Sequence, residues 1–378
     1  MATPRRHFPV YAALGGVLLL AWSAHALGAE AEDCRNRTVT GNAGIAACTT
    51  AIATAEGAEK ARLLMERARL LRQGSNFPEA EADLDKAMML APDNADLLVE
   101  LGYLRRAQGD PEGQLAADAK ALSIDPRNWR ALLNHMDALA SLGRNENCQL
   151  EAPRAVELAP DQPYTYAYRG RCRAGIGQSA EAVDDYEKAL GLGLDEAFLH
   201  ANLALARLDL GRDREALEAA QTAIERDPAN AYGHYGKIDA LLQLGRTDAA
   251  ITAYREALAA MGEDRLGLAN LLAWELYRQG RATDALAIIE EFFDAHPRPG
   301  ADQAYEVDTY AHILSALGDE EKAVRQFLLA ADLGGAARQE DYRRQLRLMG
   351  LTVADGRDGL AAALTQCVKK GADCRLSP

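Results

Sequence analysis

The stretch PDNADLLVELGYLRRAQGDPEGQLAADAKALSIDPRN, residues 92–128, opens and closes on the same motif, with Pro92 and Pro126 set 34 residues apart. Pro160 continues that spacing, and Pro228 falls two periods beyond Pro160, with Leu194 at the position between them. A fixed period in this range is the mark of a stacked repeat, in which each unit buries its apolar face only against its neighbours.

Aligned on the prolines, repeats begin at Ala61, Ala95, Trp129, Pro163, Ala197, Ala231, Leu266 and Ala304. Position eight reads Ala68, Gly102, Met136, Gly170, Ala204, Ile238, Ala273 and Ala311, mostly small, as two closely approaching helices require. Position twenty is Ala80, Gln114, Cys148, Ala182, Ala216, Ala250, Ala285 and Ala323, and position twenty-four often carries a larger apolar residue such as Leu84, Tyr186, Tyr254, Ile289 or Phe327. Position fifteen holds Gly109, Gly143, Gly177, Gly211, Gly245, Gly280 and Gly318, where a glycine ends the first helix in a left-handed backbone conformation. The prolines end the second helix. With 6% aromatic residues and few β-branched runs, the apolar material is helix-compatible and the expected class is all-α.

These features resemble the tetratricopeptide repeat family, whose pattern is W-x2-L-G-x2-Y, A-x3-F and P. Leu98-x2-Leu101-Gly102, Ala182-x3-Tyr186, Ala250-x3-Tyr254 and Ala323-x3-Phe327 carry the likeness. It implies a right-handed superhelical solenoid of about eight helix-turn-helix units over residues 61–335. Residues 27–60 then read as an N-terminal capping segment, with GIAACTTAIATA as a degenerate second helix, and 336–378 as a helical cap or small degenerate module that faintly resembles peptidoglycan-binding modules. Repeat three departs from the pattern: Pro153 lies inside its second helix and should break or kink it.

In the resembled fold the first helices line a concave groove through positions two, five, nine, twelve and thirteen. That places Arg62, Arg69, Arg72, Tyr103, Arg106 and Arg130 in a basic mouth, then Tyr164, Arg171, Phe198, Tyr232, Tyr235, Trp274 and Tyr277 in an aromatic trough. Arginine and aromatic residues dominate binding hot spots, so the pattern suits an acidic-hydrophobic peptide. The plainer alternative is that the arginines pair with Glu66, Glu100 and neighbouring acids. Asn134 and Asn202 stand at position six, but their neighbours do not complete the carboxylate clamp that some family members carry.

Arg5 and Arg6, the apolar run Val10 to Trp22 and the sequence Ala24-His25-Ala26 have the order of a cleaved secretory signal, taken as residues 1–26. Its apolar core falls short of the ~20 residues of a membrane span. The expected location is therefore the periplasm or the exterior, with no integral membrane segment after cleavage. Arg5-Arg6-His7-Phe8 also resembles the centre of a twin-arginine signal, between unusual neighbours Pro4 and Pro9.

The six cysteines fall into local pairs, Cys34 with Cys48, Cys148 with Cys172 and Cys367 with Cys374, as suits disulfides in an oxidising compartment. A formal charge of -14 disfavours nucleic acid as a partner. No H-E-x-x-H, G-x-S-x-G, Walker-type or dinucleotide-binding glycine motif occurs. His200 and His234, one repeat apart, are the nearest approach to a metal pair, at a position that normally packs. No catalytic residue, cofactor or metal is expected. The expected function is a non-enzymatic scaffold that binds a protein or peptide in its groove; the alternative is a cell-wall-associated binder acting through its tail.

Overall fold

A computed structural model describes residues 31–35, 39–262, 264, 267–370 and 376. The expected signal segment, 1–26, lies outside the described residues, as does Cys374. The architecture is an all-α repeat solenoid; among the described residues there is no strand. Packing divides the chain after Gln178 into two compact units.

The first unit contains α1 (Gly41–Thr54), α2 (Gly57–Gln73), α3 (Phe77–Leu90), α4 (Ala95–Ala107), α5 (Pro111–Ile124), α6 (Trp129–Ser141), α7 (Asn145–Leu158) and α8 (Pro163–Gly175). α2, α4, α6 and α8 are first helices, and α2, α4 and α6 each pack on the first helix of the next repeat as well as on their own partner. The closures repeat too. α3, α5 and α7 end two residues before Pro92, Pro126 and Pro160, because the residue preceding a proline is pushed out of the helical region. Asn94 and Asn128 then start α4 and α6, their side-chain oxygens accepting from the amides of Asp96 at 3.0 Å and Ala131 at 3.1 Å.

At position fifteen Gly109 adopts φ 73° and Gly143 φ 68°. Gly109 N–H donates to Arg106 O at 3.0 Å and Asp110 N–H to Arg105 O at 2.9 Å, closing the end of α4. Repeat one makes the same closure with Ser75 at φ 60°, the one non-glycine with positive φ among the described residues. α1 covers the open side of α2 through Ala51 and Ile52, while Cys34 and Cys48 join in a disulfide with Cα atoms 4.6 Å apart.

The second bridge joins Cys148 on α7 to Cys172 on α8, Cα atoms 5.5 Å apart, on the two adjacent elements the repeat frame indicates. α7 itself is not broken at Pro153: it runs unbroken from Asn145 to Leu158. Pro153 faces solvent, whereas Cys148, Ala152 and Ala155 on the opposite face are fully buried, so packing outweighs the one lost backbone bond.

The second unit contains α9 (Ser179–Gly191), α10 (Ala197–Asp209), α11 (Asp213–Arg226), α12 (Ala231–Gln243), α13 (Thr247–Met261), α14 (Leu268–Arg278), α15 (Ala282–Ala295), α16 (Ala304–Ala316), α17 (Glu320–Leu333), α18 (Gly335–Leu348) and α19 (Gly356–Val368). Its core alternates alanine, Ala216, Ala250, Ala273 and Ala285, with large residues such as Tyr254 and Ile289, all at most 1% exposed. Leu194, in the proline's place, is buried after Gly193 turns at φ 94°. Leu266, the expected start of repeat seven, lies outside the described residues, and α14 begins at Leu268. α18 and α19 form a helical hairpin against α17, burying Tyr342, Leu346, Leu360, Leu364 and Cys367. The expected partner of Cys367, Cys374, is among the residues not described.

Candidate binding surface on the first helices

In the first unit α2, α4 and α6 bring Arg69, Arg72, Tyr103 and Arg130 to one concave pocket of about 270 Å³, lined also by Met65, Glu66, Asp96, Val99 and Glu100. Two of its arginines are engaged within the chain. Arg69 Nε donates to Glu66 at 2.8 Å, and Arg72 Nε donates to Glu100 at 2.8 Å while its guanidinium lies 5.3 Å from the Tyr103 ring centre. Burial raises the Glu100 carboxyl above its ordinary range, and the neighbouring Arg72 only partly offsets this. Burial likewise raises Tyr103. Arg130 differs: it is exposed, lies over the Trp129 ring at 5.4 Å, and pairs with no carboxylate among the described residues.

The other basic positions do not join that pocket. Arg106 and Arg171 converge instead on Asp137, which is 2% exposed; Arg106 Nε stands 3.2 Å from it, and its Nη1 donates to the Tyr168 hydroxyl at 3.0 Å. Arg62 is on the surface, 3.9 Å from Glu59, and Tyr164 stacks on Tyr168 at 6.2 Å. The basic mouth is thus largely an internal ion-pair network, with Arg130 its free cation among the described residues. Asp137 was legible at groove position nine, but only as an acid among arginines.

Beneath this surface lies a second departure from the repeat. Asp118 occupies position twenty-four of repeat two, where the other repeats place an apolar or aromatic residue: Leu84, Ala152, Tyr186, Ala220, Tyr254, Ile289 and Phe327. It is fully buried beside Gly102, and burial, only partly offset by the Asn134 side chain, pushes its carboxyl up to about 8.

In the second unit α12, α14 and α16 bring Tyr235 and Trp274 to a pocket of about 490 Å³, together with Tyr305, Asn270, Glu306 and Thr309. Tyr277 lies tilted against Trp274 with ring centres 5.3 Å apart, and both rings contact buried His312, which burial pushes down to about 4. Tyr232 is 55% exposed and Phe198 half-buried, neither of them at this pocket. Tyr305 is at position two of repeat eight, so the frame already marked it as groove-facing. Glu306 beside it carried no such sign, since position three ordinarily packs.

The two repeat-spaced histidines are separately engaged: His200 Nε2 contacts Asp195 at 2.8 Å and His234 Nε2 contacts Pro228 O at 2.9 Å. Among the described residues no cluster of three metal-ligating side chains occurs, and no helix is long and apolar enough to cross a membrane. Of the acidic pairs on second helices, Glu290 and Glu291 are exposed, whereas Asp185 is buried beside exposed Asp184.

A family model described as tetratricopeptide repeat matches residues 65–129 and 201–264. No curated protein matches the sequence. Among solved structures, the hetero-tetramer Cut9–Hcn1 of the APC/C is 14% identical, with 81% of this chain and 57% of that chain covered at a TM-score of 0.58. A repeat protein from Parabacteroides merdae is 18% identical over 65% of this chain and 96% of its own, TM-score 0.49. The type IV pilus biogenesis factor PilW is 18% identical over 53% and 92%, TM-score 0.47.

Proposed function

We propose, from the premise that this chain is a tetratricopeptide repeat protein, that it is a non-enzymatic scaffold which binds a protein partner on the surface of its first helices. The repeat fold itself suggests protein–protein interaction. The observation that carries the finer reading is the pocket of α2, α4 and α6, where exposed Arg130 stands unpaired beside Tyr103 while Arg69 and Arg72 are engaged in internal ion pairs. A partner carboxylate offered there meets a cation that is in no ion pair among the described residues, and the aromatic ring supplies rigid apolar contact. The aromatic pocket of α12, α14 and α16 serves the same role in the second unit.

The site of action in this reading is the periplasm or the exterior, supported by the signal-like N-terminus and by cysteines placed at disulfide distance in Cys34–Cys48 and Cys148–Cys172. The hairpin α18–α19 is read as a closing cap rather than a wall-binding module, because its apolar face is occupied by α17. Photo-crosslinking tests the scaffold reading. A photoreactive residue in place of Arg130 should trap a discrete partner in the cell envelope, and one in place of Glu79, on a second helix, should not. Equal trapping at both positions would overturn the assignment of the binding surface.

A further inference from the structure

The pocket of α12, α14 and α16 has chemistry that a general protein-binding surface does not require. Tyr235, Trp274 and Tyr305 contribute three aromatic rings to one concavity. Glu306 sits among them at 9% exposure, and its Oε2 has no hydrogen-bond partner; the Oδ1 of Asn270, lining the same pocket, has none either. Two acceptors left without donors at a buried site are costly, the more so for a charge. The surroundings do not relieve this. Burial, Asp264 and Asp302 all act against the charged Glu306, and its own backbone amide and His296 offset this only in part.

A glycine borders the carboxylate in the same pocket. Gly267 takes φ +64° with no side chain, and a Cβ there would stand 3.3 Å from Glu306 Oε1. A guanidinium of the chain itself already lies over one of these rings, Arg338 at 4.9 Å from the centre of Tyr305. Two separated acceptors between aromatic faces call for a flat group rich in donors, and the carboxylates of Glu306, Asp264 and Asp302 favour a cationic one. The guanidinium meets all three conditions, whereas an ammonium is a compact, strongly hydrated point charge.

We propose that this pocket receives an arginine side chain of the protein partner, with Glu306 and Asn270 as acceptors and Tyr235, Trp274 and Tyr305 as its aromatic walls. The proposal rests on the reading of the first helices as a protein-binding surface and adds the chemistry recognised in the second unit.

The full chain carrying 5-fluorotryptophan, followed by fluorine NMR at Trp274, tests it with blocked amino acids as probes. N-acetyl-arginine methylamide should shift the Trp274 resonance with a Kd at least about tenfold below that of the uncharged N-acetyl-citrulline methylamide. The lysine analogue should bind several-fold more weakly than arginine. Glu306→Gln, nearly isosteric, should raise the arginine Kd about tenfold, and Tyr235→Leu should raise it several-fold; circular dichroism melts establish that both variants are folded, and if one is not the other decides. No shift, equal shifts by arginine and citrulline, lysine binding as tightly as arginine, or undiminished binding by the folded variants would each overturn the proposal. Because the probe binds without the partner, this result is independent of crosslinking at Arg130, and the two readings can fail separately.

Discussion

Single residues show where this chain departs from its own repeat. Seven of the eight position-fifteen sites are glycine, and Ser75 supplies the eighth at φ 60° while making the same closing bonds, Ser75 N–H to Arg72 O at 3.0 Å and Asn76 N–H to Leu71 O at 2.9 Å. A side chain in the left-handed region costs about 1 kcal/mol. Ser75→Gly should therefore raise the unfolding free energy by roughly 0.5–1 kcal/mol, read as a higher urea midpoint at unchanged slope; an unchanged or lower midpoint would show that the serine turn carries no penalty.

Asp118 is the larger departure. Its folded pKa, about 8, lies above the ordinary 3.8, so its neutral form supports the fold fully below pH 3.8, and that support is lost as pH rises towards 8. Asp118→Leu restores the apolar residue of the repeat and removes this dependence. Between pH 5 and 8 the parent should lose a few kcal/mol more stability than the variant, since each unit of separation is worth about 1.36 kcal/mol. Urea titrations at the two pH values make the comparison, and parallel losses would exclude Asp118 as the source.

At the scale of elements, local rules made the repeat legible. The 34-residue spacing, the glycine at fifteen and the proline after the second helix are each decided within a few residues of chain, and helix boundaries follow them closely. The groove was less legible, because whether an arginine projects outwards depends on carboxylates in a neighbouring repeat. Arg72 meets Glu100, and Arg106 and Arg171 meet Asp137, contacts that leave Arg130 as the cation available to a partner.

The expected break at Pro153 failed for the same reason: the intrinsic cost of the proline is local, but the burial of Cys148, Ala152 and Ala155 is tertiary. That account predicts the behaviour of α7. Replacing both Cys148 and Cys172 by alanine should cost about 3 kcal/mol, and adding Pro153→Ala should recover about 1–3 kcal/mol of it by restoring the backbone bond. Denaturant unfolding of the three proteins gives both values, and no recovery on removing the proline would mean that α7 carries no strain from it.

For the whole molecule, the consequence of stacking is that stability is shared between neighbours rather than held in one core. In the second unit the last full repeat depends on the α18–α19 hairpin twice over. The hairpin covers Phe327, Leu328 and Ala331, and it supplies the Tyr342 hydroxyl donated to Asp308, a carboxylate with no exposure that stands 3.5 Å from Arg338. Removing residues 335–378 should expose that apolar surface and leave Asp308 without its donors. A nearest-neighbour stack then predicts a gradient. Amide protection measured by hydrogen exchange should fall most in α16 and α17, less in α14 and α15, and little in α10 and α11. The alternative is a uniform loss across α9 to α17, which would show that the second unit unfolds as a single cooperative body, with the hairpin contributing to one shared core instead of closing the end of a series.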